Sequence, residues 1–213
     1  MKNFIFDFDG TLADSGKTGV LATQTAFKKF CLDIPSEETI NYFMGVPIEV
    51  SFKKMASKYV FEKQEFQELL TCFRDFYKQF EADNLKLFPD MREVLKSLKE
   101  KNKALFVVSS KHSTALLRNL SDFEIDKYFQ DIVGSDQVTH FKPDPEGLLT
   151  LIDKFNLDVN NSVMIGDAIF DLQMGKSAGI KTCGVVWGAH NTETLRQENP
   201  NYLLHQPVEL LNI

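Results

Sequence analysis

Asn3-Phe4-Ile5-Phe6-Asp7-Phe8-Asp9-Gly10-Thr11 sets an apolar run directly against two acids, a glycine and a hydroxyl. A run that is apolar at consecutive positions suits a strand buried on both faces, as at the centre of a parallel sheet. The strand is expected over Asn3–Phe8, ended by Asp9-Gly10. Side chains two apart on a strand point the same way, and glycine permits a sharp turn after them. Asp7 and Asp9 can therefore approach one reacting group if the chain bends there. Ligands of open α/β sheets sit beyond the carboxyl ends of the strands, where this pair of acids lies.

Outward from that stretch, similar runs recur at Ala104–Val108, Asp131–Gly134, Ser162–Ile165 and Cys183–Trp187. Between them the spacing is helical, as at Met91, Val94, Leu95 and Leu98, and again at Leu148, Leu149, Leu151, Ile152 and Phe155. Alternation of strand and helix from about residue 86 to 190 predicts right-handed βαβ units in a doubly wound, Rossmann-like parallel sheet. Residues 15–84 break the alternation and read as helical throughout, with breaks at Pro35 and at Gly45 and Pro47. The expected organisation is an α/β core of residues 1–14 and 85–213, with a small α-helical domain of residues 15–84 inserted after the first strand. The Phe, Leu and Met spacing within the insert reads as core packing.

The composition is ordinary for a globular protein: 213 residues, 43% hydrophobic and 25% charged. A net charge of −6 argues against a general grip on nucleic acid or on an anionic membrane. No apolar stretch approaches the roughly 20 residues that span a bilayer. The N-terminal run is interrupted at once by Asp7 and Asp9, unlike a secretory signal. Cys31, Cys72 and Cys183 form neither a CxxC pair nor a disulfide framework, which predicts small apolar filler in a reducing compartment. A cytoplasmic protein, monomeric or weakly dimeric, is expected.

A second acidic cluster closes another apolar run: Met164-Ile165-Gly166-Asp167-Ala168-Ile169-Phe170-Asp171. If a helix starts near Asp167, Asp171 lies one turn further on the same face. Carboxylates gathered at strand ends repel, by about 4 kcal/mol for two charges about 4 Å apart at an effective dielectric near 20. A cation must offset this, and Mg²⁺ suits an all-oxygen site. Lys142 opens Lys142-Pro143-Asp144-Pro145-Glu146, where the prolines restrict the backbone around it. Ser109 and Ser110 follow the second strand run, with hydroxyls and amides suited to phosphoryl oxygens or to helix capping.

At these residues the chain resembles the haloacid dehalogenase-like hydrolase superfamily, in its phosphatase branch akin to phosphoglycolate phosphatase. Four motifs stand in order: Asp7–Thr11, Ser109, Lys142 and Gly166–Asp171. The resemblance implies Asp7 as nucleophile and Asp9 as general acid and base. It implies Mg²⁺ held by the Asp7 carboxylate, the Asp9 backbone carbonyl and Asp167, with Asp171 supporting the metal or Lys142. Lys142 would neutralise Asp7 and the phosphoryl group. Thr11, Ser109, Ser110 and Gly45 would lie against a small phosphorylated metabolite or pyrophosphate, and the insert would be a mobile cap. Two departures stand out. The second motif reads Ser109-Ser110 where the family usually has Thr-Asn, so no amide side chain is available there. After Gly45-Val46-Pro47 comes Ile48, where the phosphoglucomutase branch typically has a basic residue; this weakens the alternative of a phosphomutase. A non-enzymatic phosphate-binding module is a further alternative, though every expected charged group is present.

Overall fold

A computed structural model describes residues 1–213. Along the chain run β1 (Asn3–Phe6), β2 (Ala13–Asp14), β3 (Lys86–Leu87), β4 (Ala104–Val108), β5 (Asp131–Val133), β6 (Ser162–Gly166), β7 (Lys181–Val185) and β8 (Tyr202–Leu204). Six of them form one parallel sheet in the order β5-β4-β1-β6-β7-β8, with β1 near its middle. The order reverses about β1, the topology of a doubly wound α/β protein. Phe6 pairs with Val107 on one side and Ile165 on the other, so three strands end together. That register brings the segments after β1, β4 and β6 to one edge.

Alternation along β1 feeds two cores. Phe4 and Phe6 join Val107, Ile165 and the buried face of α5 (Met91–Glu100). Ile5 points the other way, to Phe106, Met164 and the Leu148 and Leu151 face of α7 (Glu146–Phe155). Period-two alternation with apolar residues on both faces is what a central parallel strand requires.

The stretch between β2 and β3 is helical, with α1 (Gly16–Lys29), α2 (Glu37–Tyr42), α3 (Ile48–Met55) and α4 (Lys63–Asn84). It has its own cluster, in which Phe27 and Phe73 pack edge-on against Phe52 at 5.0 and 5.1 Å. The two chain segments joining it to the sheet pair antiparallel as β2 and β3, Ala13 with Leu87 and Asp14 with Lys86.

Several local expectations shift. β1 stops at Phe6, because the Phe8 carbonyl accepts from the amides of Thr11, Leu12 and Ala13 and winds the chain into a turn. The strand read at Cys183–Trp187 lies at Lys181–Val185, and β8 and the β2–β3 pair lie outside the strands read from sequence. Cys72 and Cys183 are buried filler, but Cys31 is exposed just beyond α1, at φ 54°. No helix is long and apolar enough to cross a membrane.

Candidate active site

Asp7 is the first residue after β1; its amide still donates to the Ile165 carbonyl at 2.9 Å, so the sheet fixes its place. Its side chain is 2% exposed. One carboxylate oxygen, Oδ1, accepts from Lys142 Nζ at 2.8 Å, while Oδ2 is buried without any hydrogen-bond partner. Lys142 also donates to Asp171 Oδ1 at 2.7 Å. Burial works to lower the pKa of Lys142, but Asp171 and Asp7 outweigh it and hold the ammonium above the usual lysine range. Asp7 itself is raised well above the usual carboxylate range, chiefly by burial, against the opposing pull of Lys142.

Asp167 lies between β6 and α8 (Ile169–Ser177). Thr11 Oγ1 donates to its Oδ1 at 2.9 Å and the Ala189 amide to its Oδ2 at 2.7 Å. Burial, followed by the nearby Asp171, pushes Asp167 up to about 7 despite those donors. Asp171 is in the first turn of α8 and reaches back to the Ala168 amide at 3.2 Å. Gly10 turns the chain at φ +81°, and a Cβ there would collide with the Asp167 carboxylate. A Cβ at Gly166 would likewise collide with Asp171. The ligand atoms of Asp7, Asp167 and Asp171 all lie within 4.8 Å of one another. Three buried carboxylates face one ammonium, a deficit of positive charge. A further cation fits that deficit, and an all-oxygen donor set fits a hard one.

The expected residues are drawn together unequally. Asp7, Lys142, Asp167 and Asp171 form the buried cluster, and Asp9 stands beside it with its side chain 19% exposed. Ser109, directly after β4, accepts from the Lys111 amide at 3.1 Å, which leaves its hydroxyl hydrogen free to donate. Thr11 was expected at the substrate, but it is fully buried and its hydroxyl holds Asp167. Ser110 and Gly45 bond to each other: the serine hydroxyl donates to the Gly45 carbonyl at 2.6 Å. Ser110 thereby ties the loop after β4 to the helical insert.

The structure adds residues that sequence reasoning missed. Lys111 Nζ lies 3.1 Å from Asp9 Oδ1, and Tyr77 of α4 donates to the same oxygen at 3.0 Å. Lys111 also donates to the Tyr77 hydroxyl at 3.0 Å and to Asn119 Oδ1 at 3.1 Å. Burial, with Asp9 next, raises the Tyr77 phenol well above its ordinary value, so it remains a neutral donor. Glu81, one turn further along α4, takes both bonds from Arg118 at 2.7 and 2.9 Å. Behind Asp167, His190 stacks on Tyr42, and its Nε2 lies 3.1 Å from the Tyr42 carbonyl. A cavity of about 680 Å³ lies between the insert and the strand ends and includes Asp7, Asp9, Ser109 and Tyr77 in its wall.

Residues 4–185 match the family described as haloacid dehalogenase-like hydrolase. The chain belongs to that family. A Listeria monocytogenes serotype 4b protein named pyrophosphatase PpaX is 30% identical over 98% of this chain and 94% of its own. A Clostridium perfringens protein provisionally given the same name is 32% identical over 100% of this chain and 97% of its own. Among solved structures, a haloacid dehalogenase-like family protein of Streptococcus pneumoniae superposes with a TM-score of 0.85 at 27% identity, covering 100% of this chain and 97% of that one. The chain is thus a haloacid dehalogenase-like hydrolase with a parallel α/β core, as its four motifs led one to expect.

Proposed function

We propose that this hydrolase is a Mg²⁺-dependent phosphatase of small phosphomonoesters, working through an aspartyl phosphate on Asp7. One observation carries the reading. Asp7 has one oxygen fixed by Lys142 and the other buried, unpartnered and part of a residue that borders the cavity. A carboxylate oriented by one oxygen and free at the other is a positioned nucleophile.

The free oxygen of Asp7 attacks phosphorus, forming an O–P bond as the bond to the leaving oxygen breaks. Asp9 gives its proton to that leaving oxygen. Water then attacks the phosphorus of the aspartyl phosphate, Asp9 takes the water's proton, and inorganic phosphate leaves with Asp7 regenerated. Tyr77 and Lys111 both hold Asp9 Oδ1, which leaves Oδ2 as the oxygen that handles the proton. Lys142 offsets charge on Asp7 and on the phosphoryl oxygens, and the Ser109 hydroxyl donates to one of those oxygens. The Asp7 and Asp167 carboxylates and the Asp9 backbone carbonyl would hold Mg²⁺, with Asp171 keeping Lys142 in place. When bound, the ion supplies positive charge against the phosphoryl oxygens. Residues 15–84 act as a cap that keeps bulk water from the reacting centre.

The names of the PpaX relatives favour a second substrate for the same mechanism, pyrophosphate, with phosphate as leaving group. The primary test is hydrolysis of p-nitrophenyl phosphate by the purified protein. Turnover with Mg²⁺ that vanishes on exhaustive chelation is expected; full activity in chelator overturns the metal-dependent reading.

A further inference from the structure

The phosphoryl chemistry occupies only one end of the cavity. That end carries Asp7, Asp9, Ser109 and Lys111, whereas the cap end is faced by Phe43, Met44, Val46, Ile48, Phe52 and Met55. A volume of about 680 Å³ belongs with pockets that enclose whole organic ligands, which run to roughly 300–1,000 Å³. Pyrophosphate is two phosphate tetrahedra sharing an oxygen, with no apolar surface to set against such a wall.

Charge points the same way. A leaving group with its own phosphate or carboxylate needs a cation, and the more enclosed cations around the cavity, Lys111 and Arg118, are already matched. Lys111 has three N–H donors, and these are taken by Asp9, Tyr77 and Asn119. Arg118 is held by Glu81 at 2.7 Å and Arg74 by Glu49 at 2.6 Å. Lys78 and His112 sit at exposed positions. Moving an anion from water to an apolar wall without a partner is strongly unfavourable. An uncharged ring loses nothing there and gains contact. Met44 and Met55 are flexible and polarisable, and thioethers pack well against aromatic faces.

Resting on the phosphatase reading above, we infer that the preferred substrate is the phosphomonoester of an alcohol with an uncharged aromatic or alicyclic body. Pyrophosphate and phosphorylated small acids fit the site less well. The phosphoryl group sits at Asp7, the ester oxygen beside Asp9, and the ring lies against the cap end between Val46 and Met55.

The test compares kcat/KM for 2-naphthyl phosphate, phenyl phosphate, pyrophosphate and phosphoglycolate, all with Mg²⁺. The first two are both aryl esters, so their ratio reports the extra ring. 2-Naphthyl phosphate is expected to exceed phenyl phosphate by about tenfold or more, from the added apolar surface that the cap end covers. Both are expected to exceed pyrophosphate and phosphoglycolate. Met55→Trp, which fills the cap end, should bring the naphthyl-to-phenyl ratio down to about one, by loss of that same contact. Should Met55→Trp fail to fold by circular dichroism, Ile48→Phe makes the same test. Highest kcat/KM for pyrophosphate or phosphoglycolate overturns the inference and leaves the phosphatase reading intact. So does a naphthyl-to-phenyl ratio near one in the wild type, or one unmoved in the folded variant. Absence of Mg²⁺-dependent turnover with all four compounds overturns the phosphatase reading itself.

Discussion

The strand-end half of the site and the cap half are built by different means. At the strand ends, three neighbouring parallel strands stop together, and Asp7, Ser109 and Asp167 follow their last residues directly. Backbone register places these groups, and almost all are buried. On the cap side, placement depends on single side chains reaching across a gap: Tyr77 to Asp9, Glu81 to Arg118, Tyr42 to His190, and the Gly45 carbonyl to Ser110. The first half is set by the sheet and can scarcely move. The second is a set of discrete polar contacts between two separately packed clusters. The strand ends place the proposed chemistry through backbone register, and the proposed cap meets it through side chains.

The largest expected effect that tests this division comes from Asp9, which belongs to both halves. Asp9→Asn should slow formation and hydrolysis of the aspartyl phosphate alike, by about 10²–10⁴-fold, the usual contribution of a general acid–base group. Single-turnover rates equal to wild type in both steps would remove Asp9 from the chemistry.

Ser109 belongs to the strand-end half alone. Ser109→Ala should lower kcat/KM by roughly 10- to 100-fold, since a hydrogen bond to a charged group contributes about 1.5–3 kcal/mol. Ser109→Thr should keep most activity because it keeps the hydroxyl. If the alanine variant matches wild type, the phosphoryl group is not seated at the end of β4.

Tyr77→Phe probes the cap half with a smaller effect. Asp9 keeps Lys111 but loses a neutral donor, and such a bond contributes about 0.5–1.5 kcal/mol. A fall in kcat of about threefold to tenfold is expected with the melting temperature little changed. Unchanged kcat would mean that α4 encloses the site without orienting Asp9.

The smallest effect is thermodynamic and confined to the strand ends. In the folded, metal-free protein Asp167 is pushed up to about 7, above its unfolded value near 3.8. The folded state therefore holds a proton that the unfolded state releases, and this contribution to stability is lost as pH rises from about 4 through 7. Mg²⁺ must displace that proton, so its stabilising effect should grow over the same range. The gain in melting temperature on adding Mg²⁺ should be larger at pH 7.5 than at pH 5.5, and Asp167→Asn should flatten the difference. An equal gain at both pH values in the wild type would separate Asp167 from the metal.

The same division explains what could be read from sequence. Asp7, Asp9, Asp167 and the central sheet were legible because apolar runs and strand-end geometry leave a local signature at each position. Lys142 stands 135 residues from Asp7 and was recognisable only through its proline-rich setting and the family pattern. Thr11 was placed at the substrate because its motif lies there, but a turn begun at Phe8 aims its hydroxyl at Asp167 instead. Tyr77 was hidden in the aromatic stripe of Phe73, Phe76 and Phe80, whose helical spacing speaks only of packing. Its hydroxyl, and Glu81 one turn on, were the available hint that this stripe has a polar end. Asn119 gave a similar hint, as an amide between the buried Leu116 and Leu120. Lys111 carried no hint, because nothing local says which acid a lysine after a strand will meet. Contacts between separately packed clusters depend on how the two dock, and no short stretch of sequence encodes that.

The central claim is that Asp7 is the covalent nucleophile, and the most direct measurement is Mg²⁺-dependent phosphate-ester turnover by purified Asp7→Asn. The amide is nearly isosteric, so the fold should persist by circular dichroism, while the fixed, unpartnered carboxylate oxygen is lost. Turnover of p-nitrophenyl phosphate should fall by about 10³-fold or more, as when a nucleophile is removed from other enzymes with covalent intermediates. A folded Asp7→Asn protein that turns over at the wild-type rate would contradict the account.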